Sequence, residues 1–178
     1  MALKVQPDDV NALLVMITDF LVDWLRLQKS TFDSIDGIFL LDDIVGFVGP
    51  DDFKSMAKPY LKTAFDAFDA KVRIFHNDAS GLVCAPELAD IGVDIFNFSH
   101  THTITEMREL VGPDVTLLGN IPPRDVLAGG SAEDVAASVK ELLGMIPDSK
   151  RTILSCGGGI PPGVTTENIQ AFLSAAGY

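Results

Sequence analysis

The chain has 178 residues, of which 47% are hydrophobic and 21% are charged, a balance typical of a folded domain and not of a disordered segment. Its formal net charge of -12 provides no basic surface for nucleic acid or for an anionic membrane. The two cysteines are too few for a disulfide framework, and the N-terminus lacks the pattern of a signal peptide, so we expect a soluble, cytoplasmic protein.

The first predicted element is a long amphipathic helix that begins at Pro7-Asp8-Asp9, where two acidic residues suit the first turn. Apolar side chains follow at steps of three and four residues, which predicts a broad buried face that includes Trp24. Its apolar run from Ala12 to Ile17 is too short to cross a membrane. The residues of the predicted face are Leu13, Leu14, Ile17, Phe20, Leu21, Trp24, Leu25 and Leu27.

Five short apolar runs come next, and each ends in polar or small residues. Continuous apolarity, in contrast to alternation, is typical of strands that are buried on both faces of a parallel sheet. The runs begin at Asp36, Val72, Val93, Val115 and Thr152. Because helical stretches separate them, the pattern predicts βαβ units in an α/β protein, with no linker to divide residues 1–178.

The helical stretches are marked by their breaks and ends. An apolar stripe from Phe53 to Phe68 is interrupted near Pro59, which predicts a kink or break there. The remaining predicted helices run over Pro86 to Ile91 with an end at Gly92, over Ile104 to Val111, over Ser131 to Ile146 with an end before Pro147, and over Thr166 to Ala175.

The residues that follow the five strands are the candidates for a site, because parallel α/β sheets bind ligands beyond the carboxyl ends of their strands. All three histidines of the chain, His76, His100 and His102, lie at or just after strand ends. The other polar candidates are Asp42, Asp43, Asn77, Asp78, Asn97, Ser99 and Asn120. Their carboxylates and amides can hold a heterocycle or orient a proton.

A metal site is one interpretation of these residues. His76 and Asp78 are two positions apart on an extended segment, and with Cys156 they offer nitrogen, oxygen and sulfur ligands, a mixture that zinc accepts. No compact ligand motif such as C-x-x-C accompanies them. The last strand also runs into Gly157, Gly158 and Gly159, which predict either a close backbone approach to a ligand or a tight turn.

Several segments together resemble the uroporphyrinogen decarboxylase superfamily. Leu118-Gly-Asn-Ile-Pro-Pro and Ser155-Cys-Gly-Gly-Gly-Ile-Pro-Pro-Gly-Val-Thr-Thr-Glu-Asn are similar to its two C-terminal motifs in order and spacing. Asp42-Asp-Ile-Val-Gly and His76-Asn-Asp are similar to its strand-end aspartate and histidine segments. The resemblance extends from about Asp8 to Ala175. It implies a partial TIM-like (β/α) barrel, namely the C-terminal portion of the family's barrel.

Within this superfamily, the resemblance favours a corrinoid-linked methyltransferase, or part of one, that passes a methyl group from a methylcobamide on a carrier protein to tetrahydrofolate or a thiol. Asp78 and Gly158 stand where the zinc-dependent branch has cysteines, which favours a branch without zinc. The expected catalytic residues are Asp42, Asp78 and Asn120. The expected substrate-binding residues are Asp43, Asn77, Asn97, Ser99, Gly157, Gly158 and Gly159.

Two alternatives remain open. The first is a decarboxylase-like enzyme of porphyrin biosynthesis, although the arginine-rich entry motif of true decarboxylases does not occur in this chain. The second is a half-barrel that binds a partner without catalysis. In each case five strands are three short of a closed barrel, so we expect a homodimer or a complex with a separate N-terminal half-barrel chain to cover the sheet.

Overall fold

The computed structural model describes residues 2–146 and 151–178, in which five parallel strands form one sheet in the order β1-β2-β3-β4-β5. Parallel neighbours require a crossover connection, and helical segments between successive strands provide it. All five predicted strands are confirmed, as is the α/β architecture of a partial TIM-like barrel. The strands are Gly37–Leu41 (β1), Val72–Asn77 (β2), Ile95–Phe98 (β3), Thr116–Ile121 (β4) and Thr152–Cys156 (β5).

Eight α-helices lie within the described residues. They are Ala2–Val5 (α1), Pro7–Thr31 (α2), Pro50–Met56 (α3), Lys58–Phe65 (α4), Leu88–Ile91 (α5), Ile104–Val111 (α6), Ala132–Met145 (α7) and Thr166–Ala176 (α8). The sequence patterns missed α1, a 3-10 turn at Ile44–Phe47 and a π-helical turn at Pro123–Ala128, all of which are too short for a periodic signal. The short helix predicted over Pro86 to Ile91 consists of a 3-10 turn at Ala85–Glu87 that leads directly into α5.

The helix ends follow their local chemistry. The predicted break near Pro59 is confirmed, since α3 ends at Met56 and α4 begins at Lys58, with Pro59 in its first turn. Gly92 ends α5 in the left-handed conformation at φ 92°, which its missing side chain permits. Pro147, where we predicted the end of α7, lies outside the described residues.

A capping box begins α7. The Ser131 Oγ accepts a hydrogen bond from the Asp134 N–H at 3.2 Å, and the Asp134 carboxylate accepts one from the Ser131 N–H at 2.9 Å. We expect Ser131→Ala to lower the free energy of unfolding by about 1 kcal/mol, because an N–H of the first turn loses its partner. Urea denaturation measures this loss. Ser174→Ala, on the exposed last turn of α8, is the control, and equal losses in the two variants would contradict the assignment.

The core lies between the sheet and the helices that cover its outer face. Phe75 of β2 and Phe96 and Phe98 of β3 are fully buried there. The rings of Phe75 and Phe96 stack with centroids 6.0 Å apart, and the Phe98 ring lies 5.8 Å from that of Phe96. This row of aromatic rings forms the floor beneath the strand ends of β2 and β3.

The opposite face of the sheet, which would be the interior of a closed barrel, is partly open. The prediction that every strand is buried on both faces is therefore wrong for β1 and β5: Phe39, Leu41 and Ile153 are exposed, Leu41 by 64%. The reason is geometric, since side chains alternate across a strand and a five-stranded sheet does not close around its own interior face.

The predicted burial of the α2 face is wrong for much of its length, although Leu14, Leu21 and Leu25 are half-buried. Phe20 is 66% exposed and Trp24 is 50% exposed, whereas Thr18 and Val22 are the buried residues of this helix. The helix packs on α4, and the exposed part of its apolar stripe has nothing to cover it within the described residues. Across the described part of the chain, no helix combines the length and the apolarity needed to cross a bilayer.

Candidate functional site

The carboxyl ends of β2, β3 and β4 bring the predicted polar residues to one edge of the sheet. The strand register places His76 level with Asn97, and Asn97 level with Leu118. Asn120 follows Leu118 by two residues, so His76, Asn97 and Asn120 fall on the same interior face of the sheet. We call the surface formed by His76, Asp78 and Asn97 the strand-end site.

The centre of the strand-end site is a hydrogen bond between two side chains. The Nδ1 atom of His76 lies 2.6 Å from the Oδ1 atom of Asn97. The Asn97 amide group donates to the carbonyl oxygens of Leu118 at 2.7 Å and of Cys156 at 3.3 Å. Asn97 is buried, so this one amide holds the imidazole and also joins β3 to β4 and to the end of β5.

Asp78 completes the strand-end site on its solvent side. Its Oδ2 atom lies 3.6 Å from the Nε2 atom of His76, and its side chain is 39% exposed, against 11% for His76. Burial raises the pKa of Asp78, the charge of His76 opposes that rise, and the neighbouring Asp43 adds to it. The Asp43 carboxylate also accepts a hydrogen bond from the Asp78 N–H at 2.6 Å. A covered imidazole thus faces an accessible carboxyl group, an arrangement suited to proton transfer.

Asp42 and Asn77 form hydrogen bonds to the backbone next to the strand-end site. The Asp42 carboxylate accepts hydrogen bonds from the N–H groups of Ile44 at 2.9 Å and Val45 at 3.4 Å, which start the 3-10 turn after β1. The fully buried Asn77 donates to the Asp42 carbonyl oxygen at 2.8 Å, and its own Oδ1 atom has no partner among the described residues. Both residues therefore support the edge structurally.

The ionisation of Asp42 gives a test of this arrangement. Burial raises the pKa of Asp42 more than the two N–H groups lower it, and Asp43 adds to the rise. A raised folded-state pKa means that the stabilising contribution is present below the unfolded pKa, about 4, and is lost as the pH rises through the folded pKa. We expect Asp42→Asn, which keeps an acceptor for Ile44, to be more stable than the parent protein at about pH 7 and no more stable at about pH 3.

Denaturant unfolding at the two pH values measures this difference. Asp33→Asn, in an exposed turn before β1, controls for the general loss of one negative charge. A gain in Asp42→Asn that is the same at both pH values would show that ionisation of the carboxyl group is not its cause.

The glycines after β5 approach protein groups. A Cβ atom on Gly157 would lie 2.6 Å from the His100 nitrogen, and a Cβ atom on Gly158 would overlap the Asp78 carboxylate. Gly158 also has φ 111°, which disfavours any other residue. Gly159 has open space around its Cβ position. Of the three predicted substrate-binding glycines, Gly157 and Gly158 therefore allow the turn after β5 to pack closely against His100 and Asp78, whereas Gly159 faces open space.

The remaining predicted residues hold loops. The Asn120 amide group donates to the His102 carbonyl oxygen, and the Ser99 Oγ atom lies 3.1 Å from the Thr101 hydroxyl. These contacts order the loop after β3 against β4. The structure therefore places Asn120 and Ser99 beside the strand-end site, with their polar groups engaged by the protein.

The predicted zinc ligands are not brought together. Cys156 packs with Leu127 and Val135 on the outer face of the sheet, and its sulfur lies 2.9 Å from the Gly158 carbonyl oxygen. The reason is strand alternation, which turns Ser155 to the interior and Cys156 away from His76. Burial raises the pKa of the Cys156 thiol. Within residues 2–146 and 151–178, no three His, Cys, Asp or Glu side chains are grouped to hold a metal ion.

Sequence reasoning found His76 and Asn97 separately and missed their pairing. A signal was present in the sequence, because each is the penultimate residue of its strand. Parallel strands in register place such residues level with one another. Recognising this would have required the strand boundaries to within one residue.

Comparison with known proteins gives one family. Residues 1–177 match the family model described as uroporphyrinogen decarboxylase (URO-D). Among curated relatives, the uroporphyrinogen decarboxylase of Chloroherpeton thalassium is 27% identical over 173 residues, covering 94% of this chain and 48% of that protein. The uroporphyrinogen decarboxylase of Homo sapiens is 29% identical over 180 residues, covering 96% and 47%. The chain thus spans about half the length of the curated relatives it matches.

A solved structure shows the same fold. A methyltransferase from Methanosarcina mazei superposes with a TM-score of 0.81 at 21% sequence identity. The match covers 96% of this chain and 49% of the methyltransferase chain.

Proposed function

The chain belongs to the uroporphyrinogen decarboxylase family, and we propose that it takes part in methyl transfer from a corrinoid on a carrier protein to a nitrogen acceptor of the tetrahydrofolate type. The observation that carries this proposal is the strand-end site, in which His76 faces Asp78 at 3.6 Å. A nitrogen nucleophile that carries a proton needs a base at the point of attack. The likeness in fold to a methyltransferase is in keeping with this role.

The side chains suit a nitrogen acceptor better than a thiol. Activation of a thiol acceptor is commonly the work of zinc held by soft sulfur ligands. The motif resemblance implies that zinc-dependent relatives carry cysteine at the position of Gly158. A Cβ atom there would overlap the Asp78 carboxylate, so a cysteine at this position would require the Asp78 side chain to move. Carboxylate and imidazole groups, by contrast, hydrogen-bond to the N–H groups of a pterin-like ring and remove a proton from it.

The reaction balances with these residues. The corrinoid would supply the methyl group as a cation equivalent and keep the bonding electron pair. The acceptor nitrogen forms the new C–N bond, and its proton passes to the Nε2 atom of His76, where the Asp78 carboxylate stabilises the resulting imidazolium. Much of the rate comes from holding the acceptor in line with the methyl group.

Decarboxylation of a porphyrinogen is the second candidate, and the names of the curated relatives favour it. The charge of the site weighs against it. Asp42, Asp43 and Asp78 place three carboxyl groups at one edge of a chain with a net charge of -12. Such an edge repels a porphyrinogen, whose carboxylates surround the ring that must enter the site, more than a folate, whose carboxylates lie on a tail away from the pterin ring.

The test is a transfer assay with the purified protein, a methylated corrinoid protein and tetrahydrofolate. We expect methyltetrahydrofolate to form, as measured by mass spectrometry, and loss of methyl-cobalt absorbance to match it in amount. Formation of carbon dioxide from uroporphyrinogen in a parallel reaction would support the decarboxylase instead. Absence of both products, with a binding partner present, would leave the half-barrel as a non-catalytic binding subunit.

We also propose that the remaining half of the family's barrel covers the open sheet. Within the described residues β1 and β5 each pair with one neighbour, and the exposed interior face carries Phe39, Leu41 and Ile153. Three further parallel strands would bring the count to the eight of a closed barrel, and the relatives are about twice as long. Exposed edges and apolar faces of this size are ordinarily covered.

Light scattering at micromolar concentration, alone and after co-expression with a candidate half-barrel chain, tests this proposal. We expect a stoichiometric complex and a higher melting temperature in the co-expressed sample. A stable homodimer that protects the same face would identify a second copy as the occupant instead. A monomer that melts cooperatively, and is unchanged by the candidate chain, would rule out the requirement for a cover.

A further inference from the structure

We infer that Asn97 is a positioning residue that holds His76 in the tautomer with its proton on Nδ1 and its lone pair on Nε2. The tautomer follows from the geometry of the imidazole alone. The role of Nε2 as the atom that accepts a proton rests on the proposed function. It rests on hydrogen bonds among His76, Asn97 and two backbone carbonyl groups.

The orientation of the Asn97 side chain is determined by its surroundings. The Nδ2 atom lies 2.7 Å from the Leu118 carbonyl oxygen and 3.3 Å from the Cys156 carbonyl oxygen. Carbonyl oxygens can only accept hydrogen bonds, so the NH₂ group must point to them. The Asn97 Oδ1 atom must then point to His76, because reversing the amide would bring three acceptors face to face.

The proton on His76 follows from this orientation. Oδ1 is an acceptor, and the Nδ1 atom lies 2.6 Å from it, a distance that requires a donor on the ring. Nδ1 therefore carries hydrogen, and in the neutral ring Nε2 carries the lone pair. The Phe39 and His76 rings are nearly perpendicular, with their centroids 6.5 Å apart.

This tautomer is the less favoured one for a free imidazole in water, where the neutral ring prefers its proton on Nε2. Asn97 thus does for His76 what the orienting residue of a catalytic triad does for its histidine, with an amide in place of a carboxylate. In the proposed methyl transfer, the lone pair on Nε2 is directed to the side where Asp78 and the acceptor meet. The opposite tautomer would present an N–H group there and could not take the proton.

Nitrogen-15 NMR of the imidazole rings tests the inference without any assay of activity. The chain has three histidines, and the His76→Gln variant identifies the signals of His76. The spectra are recorded at about pH 8.5, roughly two units above the pKa of a free histidine side chain in a model peptide. We expect His76 to show a protonated Nδ1 and an unprotonated Nε2. A protonated Nε2 in the parent protein overturns the inference.

Variants at Asn97 separate positioning from a general structural role. We expect Asn97→Ala to shift His76 toward the Nε2–H tautomer, and Asn97→Asp, which keeps an acceptor for Nδ1, to retain the Nδ1–H tautomer. Asn168→Ala is the matched control, because Asn168 is also buried and donates to two backbone carbonyl oxygens, those of Leu127 and Gly130, at 2.9 Å each. An unchanged His76 spectrum in folded Asn97→Ala would contradict the inference.

Activity then distinguishes the inference from the proposed function. With transfer activity established, we expect Asn97→Ala to lower kcat by roughly 10- to 100-fold with a smaller effect on KM, as for other residues that orient a functional histidine. Asn168→Ala should lower stability and leave kcat unchanged. An NMR result as expected in a protein without transfer activity would reject the proposed function and uphold the role of Asn97 in setting the tautomer.

Discussion

Replacing His76 by alanine is expected to lower kcat/KM for methyl transfer by roughly 10²- to 10⁴-fold, the usual contribution of a positioned general base. The Nε2 atom faces Asp78 at 3.6 Å, and the ring is 11% exposed, so no other imidazole can take its place without rearrangement of the strand ends. The loss should appear mainly in kcat, because the proton moves in the transition state and not in the binding step.

Steady-state kinetics with a methylated corrinoid protein measures this loss. His102→Gln is the control, since it removes another imidazole, in the loop after β3, while leaving the strand-end site intact. Retention of full activity by His76→Ala would exclude the proposed base. Metal analysis of the purified protein adds an independent result: stoichiometric zinc that disappears in His76→Ala would replace proton transfer by metal activation as the role of this residue.

Replacing Phe96 by alanine is expected to lower the free energy of unfolding by about 3 to 5 kcal/mol, which is a large share of the roughly 5 to 15 kcal/mol that holds a typical domain together. Phe96 is fully buried, and its ring lies between those of Phe75 and Phe98. Removing it leaves a cavity under the strand-end site, directly before Asn97 in the chain. We therefore expect the Asn97 side chain to lose its fixed orientation in this variant, in addition to the loss of stability.

Urea denaturation monitored by circular dichroism measures the effect of Phe96→Ala, and Phe96→Leu, with a smaller cavity, gives a folded variant for comparison. Phe47→Ala is the matched control, because the Phe47 side chain is 81% exposed and its loss should cost less than about 0.5 kcal/mol. Similar losses at positions 96 and 47 would mean that the aromatic row does not form the core described above.

The sequence predicted the sheet and the first helix well and the burial of that helix poorly, for one physical reason. The runs from Ile38 to Leu41 and from Ile153 to Ser155 are recognisable because apolarity and strand length are local properties. Whether an apolar side chain is buried depends on whether another part of the structure packs against it. The local sequence pattern does not contain this information. The apolar side chains of α2, such as Phe20 and Trp24, therefore looked like core and lie exposed.

The candidate site was located by a general rule and its internal geometry was not. The rule that ligands bind at the carboxyl ends of parallel strands selected His76, Asp78 and Asn97 correctly as neighbours. The three residues of the zinc interpretation are not grouped in the structure, because the register of β5 turns Cys156 to the outer face. This register could not be read from the sequence. The contact between Gly158 and Asp78 joins distant parts of the chain, so sequence spacing could not reveal it.

The close approach of Gly158 to Asp78 has a consequence for how the protein varies among its relatives. Positions 78 and 158 share one volume, because a side chain at 158 would occupy the space of the Asp78 carboxylate. A residue larger than glycine at 158 therefore requires either that the Asp78 carboxylate moves away or that position 78 carries a different residue. Substitutions at the two positions should therefore occur together among relatives. Reverting one of a matched pair of substitutions without the other should destabilise the protein.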